Sequence, residues 1–430
     1  MKKVFAILLG LAFATGAAEA KTYYVNAARP NNNGNGLQAS TAKKTIQAAI
    51  NIAKDGDTIL VQPGKYPRIR TNNKRIIIKS VEGHRYTAIL SGEDKTAEGL
   101  IVADLAAWSK NVTARHRWWG ETWTCCWKIK GYSATTIQGF KIRPTSFNNS
   151  AGELWYFESA AAIAGGTAKN CSFEHCGGVW RYLAFESSGK LECTAAWPTF
   201  LKAKLGACKI VDCVGMGEWY KKQGGTTAAT PSSGILADSS LFNRCIIKQS
   251  GSSFSSTRNG GLPETCNFLK SKFANCLFIR NWRPWFNTCM IGNCTVAGNY
   301  GTKLSGCTAF NTVFSGVSTS QFTVAKKNRV NQCHLAGTPG FVRSPISRSW
   351  TADDEGAFVG YADESWYWDR TLRLWMLKDT ENADYHLRQG SPCINKGALT
   401  APRKKLVGSY DLAGKKRVFG KSIDMGCYEY

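Results

Sequence analysis

Short apolar strands recur along this chain, each alternating inward and outward positions with a period of two. The clearest pair is Asn275-Cys-Leu-Phe-Ile-Arg-Asn281 and Asn293-Cys-Thr-Val-Ala-Gly-Asn299. Both read Asn-Cys-x-apolar-x-x-Asn. Weaker copies are NCSFEHC from Asn170, ACKIVDC from Ala207, RCIIKQS from Arg244, GCTAFNT from Gly306 and QCHLAGT from Gln332. An earlier copy, Gly139-Phe140-Lys141-Ile142, has Phe where the others have Cys. An inward residue at the Cys and another two positions later predicts a short strand. Asn or Gly at its ends suits the turn conformations that follow.

A three- or four-residue strand with one buried face is not stable alone. Copies stacked at roughly 4.8 Å bury a continuous core. Units of variable length with matching residues in register predict an all-β parallel β-helix in preference to a sandwich. Cys171, Cys208, Cys245, Cys276, Cys294, Cys307 and Cys333 are expected to form one internal stack, as small buried hydrophobes. Neighbouring rungs lie within disulfide range, but in-register geometry is poor for the bond.

The start of the repeat region carries a second pattern. Ile46, Ala49, Ile50 and Ala53 lie on one face of a helix over residues 45–53. The turn Asp55-Gly-Asp57 and the buried strand Thr58–Val61 follow, ended by Pro63-Gly64, and RIIIK at 75–79 is the next strand. A helix there is expected to cap the open apolar end of the first rung.

Composition narrows the setting. Lys2 and Lys3, the apolar run Val4 to Phe13 and Ala18-Glu19-Ala20 form an export signal over residues 1–20, with Lys21 as the mature start. The alternative is an N-terminal membrane anchor, for which the apolar run is short. No later stretch is long and apolar enough to be a transmembrane helix. The chain is therefore expected to be secreted, extracellular or at the cell surface, and monomeric. The β-helix is assigned to residues 21–345, with a Trp-rich insertion near 98–130, and residues 346–430 form a segment that packs on it or caps it. Against 55 Lys plus Arg stand 30 Asp plus Glu, a net charge of +25. Such an excess attracts polyanions; the alternative is a basic surface that only aids solubility. Nucleic acid is disfavoured as a specific partner by export and by the lack of a recognised module.

The sequence TIQAAINIAKDGDTILVQPGKY, residues 45–66, resembles the opening of pectate-lyase-like right-handed parallel β-helix proteins. The Asn-Cys rungs resemble the repeats of the same group. The ending, Asp384-Tyr-His-Leu-Arg-Gln-Gly-Ser-Pro-Cys-Ile-Asn-Lys-Gly397 with Asp411-Leu-Ala-Gly414, Arg417 and Ile423-Asp-Met-Gly-Cys-Tyr-Glu-Tyr430, resembles that of secreted choice-of-anchor β-helix proteins. The resemblance implies fold and export. It does not choose an activity, because function lives in a site grafted on the fold. It also implies that any lyase chemistry would use Arg or Lys as the base, with calcium or a basic residue neutralising a uronate carboxylate. No cofactor is expected from the residues themselves; calcium is the one that the resemblance leaves open.

If the Cys position faces in, the next residue and the third one on face out. That places Lys141, Arg143, Glu174, Lys209 and Lys248 on one face, the sharpest candidate for binding an acidic polysaccharide; the alternative is a solvated face. Further along, Leu277, Ile279, Thr295 and Ala297 face out and need a cover, for which the C-terminal segment is the candidate. Trp118, Trp119 and the pair Trp180-Arg181 add rings and guanidinium groups suited to stacking on sugars and forking carboxylates; the alternative is loop packing.

Metal sites have little support. The Cys-x4-Cys spacings at 171/176, 208/213 and 289/294 span about 16 Å in an extended strand, too far for one zinc. The acidic runs 353–355 and 363–364 lack a calcium-loop pattern. The five histidines form no local motif. Cys125-Cys126 is a vicinal pair, and Cys393 and Cys427 are expected to form a disulfide that fastens the tail. Two functions remain open: binding, with or without cleavage, of acidic polysaccharide, and a non-catalytic adhesin or envelope rod.

Overall fold

The computed structural model describes residues 19–91, 126–144, 163–176, 198–213, 235–250, 266–299, 301–343, 383–418 and 422–430, less 175, 212, 282 and 323–325, and the backbone of short strands within 103–123 and 350–377. Residues 1–18, most of the segment expected to be an export signal, lie outside the described residues, as do Trp119, Arg181, Cys125, the acidic runs 353–355 and 363–364 and the side chains of Trp118 and Cys126.

Three parallel sheets wind into a β-helix, as the repeat requires. The first runs from Thr22–Val25 through Thr58–Val61, Ile77–Ser80 and Cys126–Gln138 to Arg329–Asn331. The second runs from the start of Ile163–Lys169 through Phe200–Leu201, Ile235–Asp238, Asn267–Leu269 and Trp285–Asn287 to Lys303–Ser305. The third runs from Gly64–Pro67 through Thr87–Ser91, Lys141–Pro144, Ser172–Glu174, Lys209–Val211, Ile246–Lys248, Leu277–Ile279 and Thr295–Ala297 to Val313–Phe314.

One rung shows how the sequence makes the shape. Asn267–Leu269, Lys272–Ala274 and Leu277–Ile279 are three-residue strands, one in each sheet. Between them a single residue takes the left-handed conformation, Lys270 (φ 48°) and then Asn275 (φ 52°). The next residue, Ser271 or Cys276, turns inward and is buried. Each corner thus repeats after five residues, and this accounts for the Cys-x4-Cys spacings without a metal. Cys289 and Cys294 occupy successive corners of the following rung, flanking the strand Met290–Gly292. Strand centres fill the middle: Phe268, Phe273, Phe278 and Phe286 are buried, with ring centroids 5.0–5.8 Å apart in edge and stacked pairs. Each such pair adds about 0.5–1.5 kcal/mol beyond its buried area.

The thiol stack is two columns, not one. Cys171, Cys208, Cys245, Cys276 and Cys294 follow one another up one corner. Thr312 comes next, its Oγ1 accepting from the Cys294 amide at 3.4 Å, and the His334 amide donates to the Thr312 carbonyl. Cys333 therefore belongs to this column, as expected. Cys307 does not: it stacks on Cys289 at the corner between the second and first sheets, above Ser240 and Ser271. A hydroxyl at 312 replaces the thiol that would have marked the rung, and Gly306-Cys307 mimics the motif one corner early. Burial pushes the thiols of Cys171, Cys208, Cys245 and Cys276 well up. Un-ionised and out of water, they act as core filler.

The helix forms at Ile46–Ile52, capped by Thr45, whose Oγ1 accepts from the Ala48 amide at 3.2 Å. Its buried Ile46, Ala49 and Ile50 join the core of the first strands.

Residues 383–418 and 422–430 pack on the later rungs. The outward Leu277, Ile279, Ala297 and Val313 share an apolar cluster with Phe341, Tyr385, Leu387, Cys393, Met425 and Cys427. Corner asparagines hold the segment by hydrogen bonds: Asn275 Nδ2 donates to the Val407 carbonyl (2.7 Å), Asn293 Nδ2 to that of Asp424 (3.2 Å) and Asn311 Nδ2 to that of Ala398 (3.0 Å). Asn thus tolerates the left-handed corner and also grips the tail. Cys393 and Cys427 are both buried as free thiols, so the expected disulfide is not present. Burial raises Cys393 to about 11 and Cys427 to about 12. Apolar packing and polar bonds do the fastening instead.

Candidate functional site

The third sheet's outer face carries the residues singled out by the pattern. Their inward neighbours Ile142, Phe173, Ile210, Ile247, Phe278 and Val296 are all in the core. One outward row is Lys141, Ser172, Lys209, Ile246, Leu277 and Thr295. The second holds Glu174, Val211, Lys248, Ile279 and Ala297. The face changes along its length from charged to apolar.

The early end is a closed ion cluster, not an open charged strand face. Lys141 Nζ lies 2.5 Å from Glu174 Oε1, and Arg143 lies 3.6 Å from Oε2. Ser172 Oγ donates to Glu174 Oε1 at 2.8 Å. Arg143 is 1% exposed, Lys141 6% and Glu174 8%. His84, on the corner before Thr87–Ser91, stands in the same field. Burial, then the charges of Lys141 and Lys209, push its imidazole down. It is therefore neutral at neutral pH. Nothing in the spacing of the histidines marks His84; only the stacking of its corner beside Lys141 does.

The later end is a cleft. Lys209, which is exposed, and Lys248 form its wall on the sheet side with Ile246, Leu277 and Ile279. Arg343, Ala383, Asp384, Tyr385, His386 and Tyr428 form the other wall. Its volume is about 420 Å³, enough for one or two sugar rings among the usual ligand-pocket sizes. His386 Nδ1 is 2.6 Å from Asp384 Oδ1, and the His386 ring stacks on Tyr428 with centroids 3.9 Å apart. Burial alone would raise the Asp384 carboxyl. The hydrogen bonds from the His386 amide and ring, with the charges of His386 and Arg343, outweigh it and hold Asp384 below the usual range. Burial, with the charges nearby, pushes the Tyr428 phenol far up, so it keeps its proton.

The structure thus gathers Lys141, Arg143 and Glu174 into one group and sets Lys209 and Lys248 in the adjoining cleft. The sequence reading missed Arg343, Asp384, His386 and Tyr428. A signal was present: Asp-x-His on a strand puts both side chains on one face. Among the described residues no group of three or more His, Cys, Asp or Glu could hold a metal ion, and no helix is long and apolar enough to cross a membrane.

No protein-family model matches the chain, and no curated protein is similar to it in sequence. Solved structures of similar shape exist at low identity. A pectate lyase, Pel9A, is 12% identical over 96% of this chain and 97% of its own, with a TM-score of 0.34. XylC in complex with xylose is 10% identical over 94% and 98%, TM-score 0.34. The pectin methylesterase PemA from Erwinia chrysanthemi is 9% identical over 83% and 88%, TM-score 0.29. The β-helix itself is defined by the strand pairing above.

Proposed function

We propose that the protein is exported and binds an acidic polysaccharide across the outer face of the third sheet. The observation that carries this reading is the cleft of about 420 Å³ in which Lys209, Lys248 and Arg343 face the Tyr428 ring. Cations pair with uronate or sulfate groups, and an aromatic face stacks on the C–H side of a sugar. The net charge of +25 supports the same partner by drawing a polyanion to the surface. The closed cluster of Lys141, Arg143 and Glu174 serves as a rigid, charged shoulder beside the cleft. Binding by one copy of the chain suffices, so the working unit is a monomer.

Electrophoresis in gels holding pectate, alginate or a sulfated glycosaminoglycan tests this. The protein is expected to be retarded by at least one of these polymers and not by a neutral glucan. Lys209→Ala with Arg343→Ala removes two exposed charges without opening the core. A charge-assisted hydrogen bond contributes about 1.5–3 kcal/mol, so the double variant is expected to bind roughly 100-fold more weakly. Equal retardation of the double variant, or equal retardation by the neutral polymer, would count against the site.

A further inference from the structure

The first sheet carries a second basic surface, on a different side of the β-helix from the cleft. Its strands pair in register, so outward residues form two continuous rows along the axis. Lys79, Gln138 and Lys169 follow one another in one row. Lys204, Leu241 and Lys272 do so in the other. At the corner beside them Lys202, Ser239 and Lys270 repeat the interval. Each pair of lysines is thus two rungs apart, roughly 10 Å. All six lysines are exposed, and none pairs with a carboxylate among the described residues. Among the paired outward positions of this sheet, from Thr22 to Asn331, there is no Asp or Glu. Like charges gathered without a partner repel one another, and an anionic partner relieves that.

The chemistry of the face selects the partner. All six cations are lysines, which act as point charges and lack the fork with which Arg grips a single carboxylate. Between Lys79 and Lys272 the rows carry no aromatic ring on which a sugar could stack. They carry aliphatic side chains instead. Ile77, on the same strand as Lys79, is 44% exposed, and the half-buried Leu241 and Met290 flank Lys272 in its row. Tyr132 is 41% exposed, with Lys202 Nζ 4.4 Å from its ring centroid. Beyond Lys272 the helix Ala401–Val407 reaches the same sheet, with Arg403 4.9 Å from the Phe310 ring, and adds the exposed Lys404 and Lys405. Lysines interleaved with aliphatic groups and a tyrosine suit the boundary between water and a bilayer. We propose that this face seats the protein on an anionic phospholipid bilayer. Lipid headgroups are mobile and gather under fixed point charges. The lysine stems lie along the apolar side chains while their ammonium groups stay level with the phosphates. The cleft belongs to the third sheet, so it stays open while the first sheet is seated, and the two surfaces share no residue.

Sedimentation with vesicles tests this. The full chain is mixed with vesicles of phosphatidylcholine alone, or of phosphatidylcholine with phosphatidylglycerol, at low and at high salt. It is expected to sediment with the anionic vesicles at low salt, to be released by high salt, and to stay in solution with the neutral ones. In the triple variant Lys169→Gln, Lys204→Gln and Lys272→Gln the partition constant is expected to fall roughly 100-fold, since each cation near an anionic surface contributes about five-fold. All three side chains are exposed, so the variant is expected to keep the circular dichroism of the wild type. Lys209→Gln with Arg343→Gln, in the cleft, is expected to sediment as the wild type does. Acetylation of the vesicle-bound protein is expected to spare Lys169, Lys204 and Lys272 and to modify Lys209 as in solution. Equal sedimentation of the triple variant would overturn the proposal. So would sedimentation with neutral vesicles as strong as with anionic ones, or none with either. If vesicles bind no protein and the triple variant loses retardation by an acidic polymer, this face is a second glycan surface and the bilayer is not its partner. The cleft is read separately, through Lys209 and Arg343.

Discussion

Glu174→Gln is expected to loosen the third sheet at its charged end by about 3–5 kcal/mol. The carboxylate is the shared partner of Lys141 at 2.5 Å and Arg143 at 3.6 Å, and both cations are almost out of water. Removing one negative charge leaves two buried positive charges facing each other. Replacing the whole group is different. A triple variant, Lys141→Met with Arg143→Met and Glu174→Leu, is expected to recover most of the loss, because apolar packing can match a buried ion group. The chain is a stack of rungs, so one global unfolding energy is not the right readout. Amide hydrogen exchange in Lys141–Pro144 and Ser172–Glu174 measures the local effect. Protection there is expected to fall roughly 100-fold or more in Glu174→Gln. A change no larger than that caused by the exposed Lys204→Ala would show that the cluster is not a unit.

The second large effect concerns the tail. Arg417 is 1% exposed and lies 3.6 Å from Glu429, which is 2% exposed. It donates to the carbonyls of Gly426 and Asn293, tying the tail to itself and to a corner of the solenoid. Asp411 accepts from the amides of Lys415 (2.7 Å) and Glu429 (3.0 Å), and Asp424 from those of Asn395 (2.6 Å) and Tyr430 (2.7 Å). Arg417→Ala leaves Glu429 buried without its cation, at a cost of about 3–5 kcal/mol. Limited trypsin digestion followed by mass spectrometry reads the result. Cleavage at Lys404, Lys405, Lys415 and Lys416 is expected to be roughly 100-fold faster than in the wild type, since the docked state protects the backbone in proportion to its stability. Unchanged resistance would mean that the apolar cluster alone holds the tail. Because the tail forms one wall of the cleft, the same variant is expected to lose polysaccharide retardation.

Much of the fold was legible because the rungs repeat chemistry as well as spacing. Asn275-Cys276 and Asn293-Cys294 announce a left-handed corner followed by an inward residue, and both do so in the structure. The alternation also named the outward apolar positions 277, 279 and 297 that require a cover. Legibility failed where a substitution kept the physics and changed the letter. Thr312 fills a thiol's place with a hydroxyl, and Cys307 sits at a corner where a serine would serve as well. The candidate site was half legible. Register follows from a period of two, so Lys141, Glu174, Lys209 and Lys248 could be put on one face. Burial does not follow from register, and the ion cluster's closure is a three-dimensional fact. The cleft's other wall, Arg343 and residues between 383 and 428, comes from far along the chain, and its segment is docked by side chains such as Asn275 and Asn293 whose partners lie some 130 positions away.

Lysine acetylation footprinting measures the glycan's position most directly. The protein is labelled with and without a saturating acidic oligosaccharide from the polymer that retards it, and each lysine is quantified by mass spectrometry. Lys209 is expected to become protected, whereas Lys272 and Lys303, exposed on the first and second sheets, remain as reactive as before. Protection of Lys272 and Lys303 with Lys209 unchanged would place the glycan on another face and contradict the cleft as the binding site.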